Sequence, residues 1–146
     1  MRLNVQTDYA LRLVMQLAVS NDALVTIAAI AARFDISKNH LMKVAHVLGR
    51  AGFIETIRGR AGGLRLARPA AAIGVGEIVR EMEGDFAIVE CFEDGKGECL
   101  ITPACRLKGV FHEATKAFLA VLDEYTIDDL VRRHPALAAL LSEVAA

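Results

Sequence analysis

Residues 26–67 run through two short helical segments, a tight connection and an alternating hairpin with a basic, glycine-rich tip, and few folds accommodate that order. Thr26 is a helix N-cap residue, and the alanine-rich segment 27–34 behind it has helical spacing. Asp35 and Ile36 make a tight connection, and Ser37 is the next N-cap. Residues 38–50 then place Leu41, Val44, Val47 and Leu48 on one helical face, and Gly52 ends the helix as a C-terminal glycine. Two short helices joined by a turn of about three to four residues form a helix-turn-helix. Residues 53–58 and 64–67 alternate as strands around the tip 59–63, a hairpin signal. The expected fold is mainly α with a small β-hairpin wing: a winged helix-turn-helix.

The rest of the chain extends this unit. Ala10, Leu11, Val14, Leu17 and Ala18 recur at helical spacing, so a first helix is expected with Thr7 as its cap and Asp8 at the positive end of its dipole. Pro69 marks a boundary, and 76–83 reads as one more short helix. Residues 84–102 are rich in glycine and acid, lack a period, and read as a loop. From Pro103 to about Tyr125 a long helix carries the stripe Leu107, Val110, Phe111, Ala114, Phe118, Val121, Leu122 and Tyr125. A winged helix of this size has little core left to cover such a stripe. A second copy would cover it, so a long dimerisation helix and a twofold homodimer are expected, against packing within one subunit. Short helices at 127–133 and 135–144 finish the chain. Two units result: a winged helix-turn-helix DNA-binding domain at 1–68, and 69–146 with the cysteine loop (84–105), the dimerisation helix and the C-terminal helices.

The 146 residues are 54% hydrophobic and 24% charged, which fits a folded globular chain. Unbroken apolar runs reach only six residues, far short of the about 20 that a membrane span needs. Asp8 and Arg12 interrupt the apolar amino terminus, so no secretory signal is read, and a cytoplasmic location is expected. The net charge of −1 hides opposed halves: +6 over residues 1–68 and −7 over 69–146. The whole of that +6 resides in residues 33–68. A solvated basic face would explain charge alone, but the helix, turn, helix and basic hairpin around it favour double-stranded DNA. The first turns of a recognition helix enter the major groove, and here they carry Ser37, Lys38, Asn39, His40 and Lys43. Asn pairs bidentately with adenine, and Lys reaches guanine or phosphate. Arg58 and Arg60 at the wing suit a narrow minor groove, and Gly59, Gly62 and Gly63 let the backbone approach closely. A dimer would read an inverted-repeat operator with half-sites about 34–36 Å apart.

Cys91, Cys99 and Cys105 fall within fifteen residues. An odd count in a reducing compartment argues against a disulfide framework. Thiolates select zinc or iron–sulfur clusters, structural zinc usually includes a close C-x2–4-C pair, and neither gap here provides one. Wide gaps suit a cluster with one ligand position left for a carboxylate, a histidine or the second subunit. A metal-free thiol switch of the same fold, or an iron–sulfur carrier in which the basic half is incidental, are the alternatives. No enzyme is expected. His40, His46, His112 and His134 are scattered, and no nucleophile-elbow, Walker or Rossmann pattern appears.

Three segments carry a family resemblance: residues 7–12 (TDYALR), 36–44 (ISKNHLMKV) and 58–66 (RGRAGGLRL). They resemble the Rrf-type winged-helix regulators, and residues 99–108 (CLITPACRLK) look most like that family's nitric-oxide-responsive repressors. The resemblance implies a homodimeric repressor whose iron–sulfur cluster is held by Cys91, Cys99 and Cys105, with 4Fe–4S favoured over 2Fe–2S. One branch of the family uses a histidine three residues after the last cysteine as fourth ligand; here that position is Lys108. The nitric-oxide-responsive branch implies instead Asp8, donated by the other subunit. Arg12, one turn later, can orient that carboxylate. Nitrosylation of the cluster would then free Asp8, shift the helix-turn-helix units and release operator DNA.

Overall fold

A computed structural model describes residues 1–93 and 99–142. The chain forms α1 (Val5–Val19), α2 (Ile27–Phe34), α3 (Lys38–Arg50), β1 (Ile54–Ile57), β2 (Gly63–Leu66), α4 (Val75–Glu83), α5 (Arg106–Asp123), α6 (Ile127–Arg132) and α7 (Pro135–Ser142). Short 3-10 turns lie at Ala70–Ala72, Glu90–Phe92 and Thr102–Ala104. No described helix is long and apolar enough to cross a membrane.

Helices α2 and α3 fall where Thr26, Ser37 and Gly52 punctuate the chain. The Thr26 hydroxyl accepts from Ala29 N at 3.1 Å, satisfying one of the free donors at the start of α2. Asp35 takes a left-handed conformation (φ 52°) and turns the chain into α3. The hairpin is antiparallel, in the register Ile54↔Leu66, Glu55↔Arg65, Thr56↔Leu64 and Ile57↔Gly63. Val25 adds a bridge to Leu64, which ties the wing to the segment leading into α2.

Helix α1 is central and packs against α3, α4, α6, α7 and β2. Its buried Ala10, Leu13, Val14 and Leu17 join Leu41, Val44 and Leu48 of α3, Ile78 and Val79 of α4, and Ile127 and Val131 of α6 in one core. Both charge halves therefore contribute to the same core. Helix α7 is held at its end: Gln16 Nε2 donates to Leu141 O (3.0 Å) and Arg33 Nη1 to Leu140 O (2.9 Å).

Three helix starts differ from the sequence reading. Helix α1 begins two residues before Thr7, and Asn4 caps it by accepting from Gln6 N at 3.0 Å. Thr7 is instead fully buried in the first turn and donates its hydroxyl to Glu83 Oε1. Pro103 lies within a separate 3-10 turn, so α5 starts at Arg106. Helix α4 starts one residue early, at Val75, where Glu77 Oε2 accepts from Gly74 N at 2.8 Å. The expected end of α7 at residue 144 lies outside the described residues.

Helix α5 has no buried residue, and it meets the body through α4. There Arg80 grips Asp123 with two hydrogen bonds of 2.6 Å. Gly76 permits this closure, since a Cβ on it would lie 2.0 Å from Asp123 Oδ1. Leu119 and Leu122 reach the edge of the core. Val110, 57% exposed, and Leu107, Val121 and Tyr125 remain open to solvent.

Candidate nucleic-acid interface and metal centre

Helix α3 buries Leu41, Val44, Ala45 and Leu48, so residues at the complementary angles face outward. Ser37, Lys38, Asn39, His40 and Lys43 are all exposed. Ser37 occupies the N-cap position, but its hydroxyl makes no capping bond, which leaves it available to a ligand. Lys38 and Lys43 have no acidic partner among the described residues. His40 lies to one side, where its ring stacks on Tyr9 of α1 (centroids 6.4 Å apart, planes at 29°). Such a contact is tertiary and leaves no trace in helical spacing. Met42 and His46 are also exposed on α3; sequence reasoning did not single out Met42, because methionine ordinarily reads as core.

At the wing, Arg58 and Arg60 are exposed and have no acidic partner among the described residues. Arg65, one strand behind, is neutralised by Glu55 directly opposite it (3.2 Å). Two cations free at the tip and one paired at the base focus positive potential on the tip. Gly59 is open to solvent with φ +114°, which a side chain would strain. Gly62 and Gly63 have structural reasons of their own. A Cβ on Gly62 would lie 2.2 Å from Ile57 O, and one on Gly63 would lie 3.0 Å from Val25 O. Both glycines close the hairpin and seat it on Val25.

The three cysteines are free thiols on the path from α4 to α5. Cys91, half-buried, sits in the turn Glu90–Phe92, which Phe92 pins to α5 by stacking on His112 (4.1 Å, 15°). Cys99 is exposed, and its carbonyl accepts from Thr102 N at 3.0 Å. Cys105, half-buried, occupies the N-cap position of α5. Among the described residues no three His, Cys, Asp or Glu side chains form a metal-binding group, and 94–98, between the first two cysteines, lie outside them. The donor set itself fits an iron–sulfur cluster: three soft ligands, unbridged and not fully buried.

Asp8 is half-exposed on α1, and Arg12 holds its carboxylate at 2.6 Å, as the spacing of four residues allows. Its two chain neighbours reach in different directions. Thr7 engages Glu83, and Glu83 Oε1 also accepts from Asn4 N (2.8 Å). Glu83 is the last residue of α4, directly before the cysteine-bearing segment. Tyr9 stacks on His40 of α3. Three consecutive residues thus meet the root of the cysteine segment, a cation and the exposed helix of the helix-turn-helix.

Comparison with known proteins places this geometry. A family profile described as Rrf2, iron-dependent transcriptional regulator, matches residues 3–133. The HTH-type transcriptional regulator NsrR of Bacillus subtilis (strain 168) is 50% identical over 142 residues, covering 97% of each chain. Among solved structures, CymR (YrzC), described as the global cysteine regulator of B. subtilis, superposes with TM-score 0.73 at 28% identity, covering 91% of this chain and 98% of that one. IscR of T. potens gives TM-score 0.71 at 28% identity, covering 91% and 88%.

Proposed function

Because the chain belongs to the Rrf2 family and is a DNA-binding transcriptional regulator, we propose that it is a homodimeric repressor that senses nitric oxide and then releases an inverted-repeat operator. The observation that carries the reading is the tripeptide 7–9, which links the cysteine segment to the reading helix within one chain. Cys91, Cys99 and Cys105 would hold an iron–sulfur cluster, with Asp8 supplied by the second subunit. When bound, such a cluster supplies iron that is open to small diatomic molecules.

The chain's own residues account for the rest. Arg12 orients the Asp8 carboxylate and screens it while it is unligated. Glu83 fixes the first turn of α1 to the end of α4, so that movement in the cysteine segment reaches Asp8. Tyr9 passes a shift of that turn to His40 and α3. Lys38, Lys43, Arg58 and Arg60 bind phosphates, and Asn39 reads adenine. The open apolar face of α5 supports a second copy as its cover. An apolar groove of about 440 Å³ beside it, lined by Leu3, Phe86, Ile88, Ala114 and Phe118, extends that face. The coupling requires two states of different operator affinity.

The exposed, unbridged Cys99 gives a second reading, repression governed by thiol oxidation without metal. One experiment separates them. Protein purified without oxygen is assayed for iron, acid-labile sulfide and visible absorption, and its operator affinity is measured before and after nitric oxide. About four irons and four sulfides per chain, with loss of DNA binding on exposure, are expected. A colourless, iron-free protein that still represses would leave the thiol reading, and an iron-loaded protein with no DNA binding would leave a carrier.

A further inference from the structure

Met42 is 56% exposed on α3 and belongs neither to the core nor to the apolar fringe packed against it. At about 3.6 residues per turn, Asn39, Met42, Lys43 and His46 occupy positions i, i+3, i+4 and i+7. They form the outward stripe opposite Leu41, Val44, Ala45 and Leu48. Met42 is the large apolar side chain on a stripe that is otherwise polar or cationic. His40, on the other flank, is occupied by Tyr9. Covering that apolar surface with an apolar group of a ligand is favourable.

The local charge says which ligand. Residues 33–68 carry a net +6, and Lys38 and Lys43, one turn before Met42 and directly after it on α3, have no acidic partner among the described residues. Phosphate contacts position a helix on the duplex but carry no sequence information directly. In the major groove, thymine presents a C5-methyl group beside its O4 acceptor, whereas the other bases present donors and acceptors alone. We infer that Met42 reads the 5-methyl group of a thymine about one base step from the adenine that Asn39 pairs with. Three residues advance about 4.5 Å along a helix, against about 3.4 Å per base pair, and the flexible thioether spans the difference. Asn39 and Met42 together then select neighbouring A·T pairs in each half-site. This rests on the DNA-binding reading of α3 and adds to it the base chemistry that the helix selects.

Replacing thymine by deoxyuracil removes the methyl group and nothing else, so the inference can be tested directly. Binding sites are first selected from random duplexes with the full-length protein. Each thymine of the selected duplex is then replaced in turn, and affinity is read by fluorescence anisotropy. One position per half-site should weaken binding about fourfold, the effect of one lost apolar carbon contact. Met42→Ala should bind the thymine and uracil duplexes equally, and Met42→Leu should keep the discrimination. Met42 is exposed, so neither variant should change thermal stability. Uniform binding to every uracil duplex overturns the inference, as does an undiminished ratio in Met42→Ala. If selection retains no duplex at all, the DNA-binding reading fails with it.

Discussion

Glu83→Ala tests the link between the cysteine segment and α1. The Glu83 carboxylate accepts from Thr7 Oγ1 and from Asn4 N. Asn4 is exposed, and its amide can turn to water at little cost. Thr7 is fully buried and cannot. A buried hydroxyl left without an acceptor costs about 1–3 kcal/mol, and the truncation should destabilise the protein by that amount. For a chain near this length each kcal/mol lowers the thermal midpoint by about 2–4 °C, so a fall of about 2–12 °C is expected. Circular dichroism melts at one fixed protein concentration measure it, because assembly shifts apparent stability. Thr7→Val keeps the side-chain shape and removes the unsatisfied hydroxyl. In that background Glu83→Ala should cost no more than a few tenths of a kcal/mol, and the difference is the coupling energy of the pair. An equal cost of Glu83→Ala in both backgrounds would refute the reasoning, since the penalty would then not come from Thr7.

Four further outcomes follow from the same geometry. Arg60→Ala should reduce the slope of log affinity against log salt by about one unit if the wing tip contacts a phosphate, and an unchanged slope would remove Arg60 from the interface. Gly62→Ala forces a Cβ toward Ile57 O, so it should destabilise by about 1–3 kcal/mol and weaken DNA binding; a melt identical to the parent would show that the turn yields freely. The hydrogen bond from Arg80 holds the Asp123 carboxyl below its ordinary range, against an opposing desolvation effect. The pair's contribution is therefore complete above about pH 4, the unfolded value, and is lost as pH falls below it through the folded value. The stability gap between the parent and Asp123→Asn should narrow below that pH, and a gap constant from pH 7 to pH 3 would contradict the assignment. Val110→Asp should convert the proposed dimer to a monomer in light scattering, and a persisting dimer would move the interface off this face of α5.

The winged helix-turn-helix was readable because its signals are local. Thr26, Gly52 and the glycines of the tip each act within a few residues, and α2 and α3 coincide with the expected bounds. What could not be read is long-range. Thr7 has the chemistry of a cap, yet its hydroxyl serves Glu83, 76 positions away. Pro103 has the chemistry of a first helical residue, but it belongs to a turn that precedes α5. Gly62 and Gly63 suggested close approach to a ligand, while their immediate constraint is the backbone of Ile57 and Val25. His40 and Met42 show the same limit in opposite directions. A polar residue expected to face DNA is partly engaged by Tyr9, and an apolar residue for which helical spacing gave no expectation stands in solvent.

The attachment of α5 bears on how a small chemical event could move DNA. No residue of α5 is buried, and it joins the body at α4, through the Arg80–Asp123 pair across Gly76 and the backbone bridge of Gly74 to Thr126. Helix α4 in turn ends at Glu83, which grips the first turn of α1. In the proposed dimer, α5 would be the common axis and each reading helix would stand at the end of an arm. With half-sites about 34 Å apart, each arm is about 17 Å long, and a 10° rotation at the α4–α5 joint displaces its tip by about 3 Å. That is close to the rise of one base pair, about 3.4 Å, and is enough to take both helices out of register. The exposed Arg80–Asp123 pair adds little stiffness to that joint, whose firmer part is at the end of α5, where Leu119 and Leu122 reach the core and Val75 N donates to Tyr125 O at 2.9 Å. The sensing segment therefore has no need to unfold the reader. It needs only to bias the angle at which α4 meets α5, and Glu83 lies at the end of α4 where that bias would be applied.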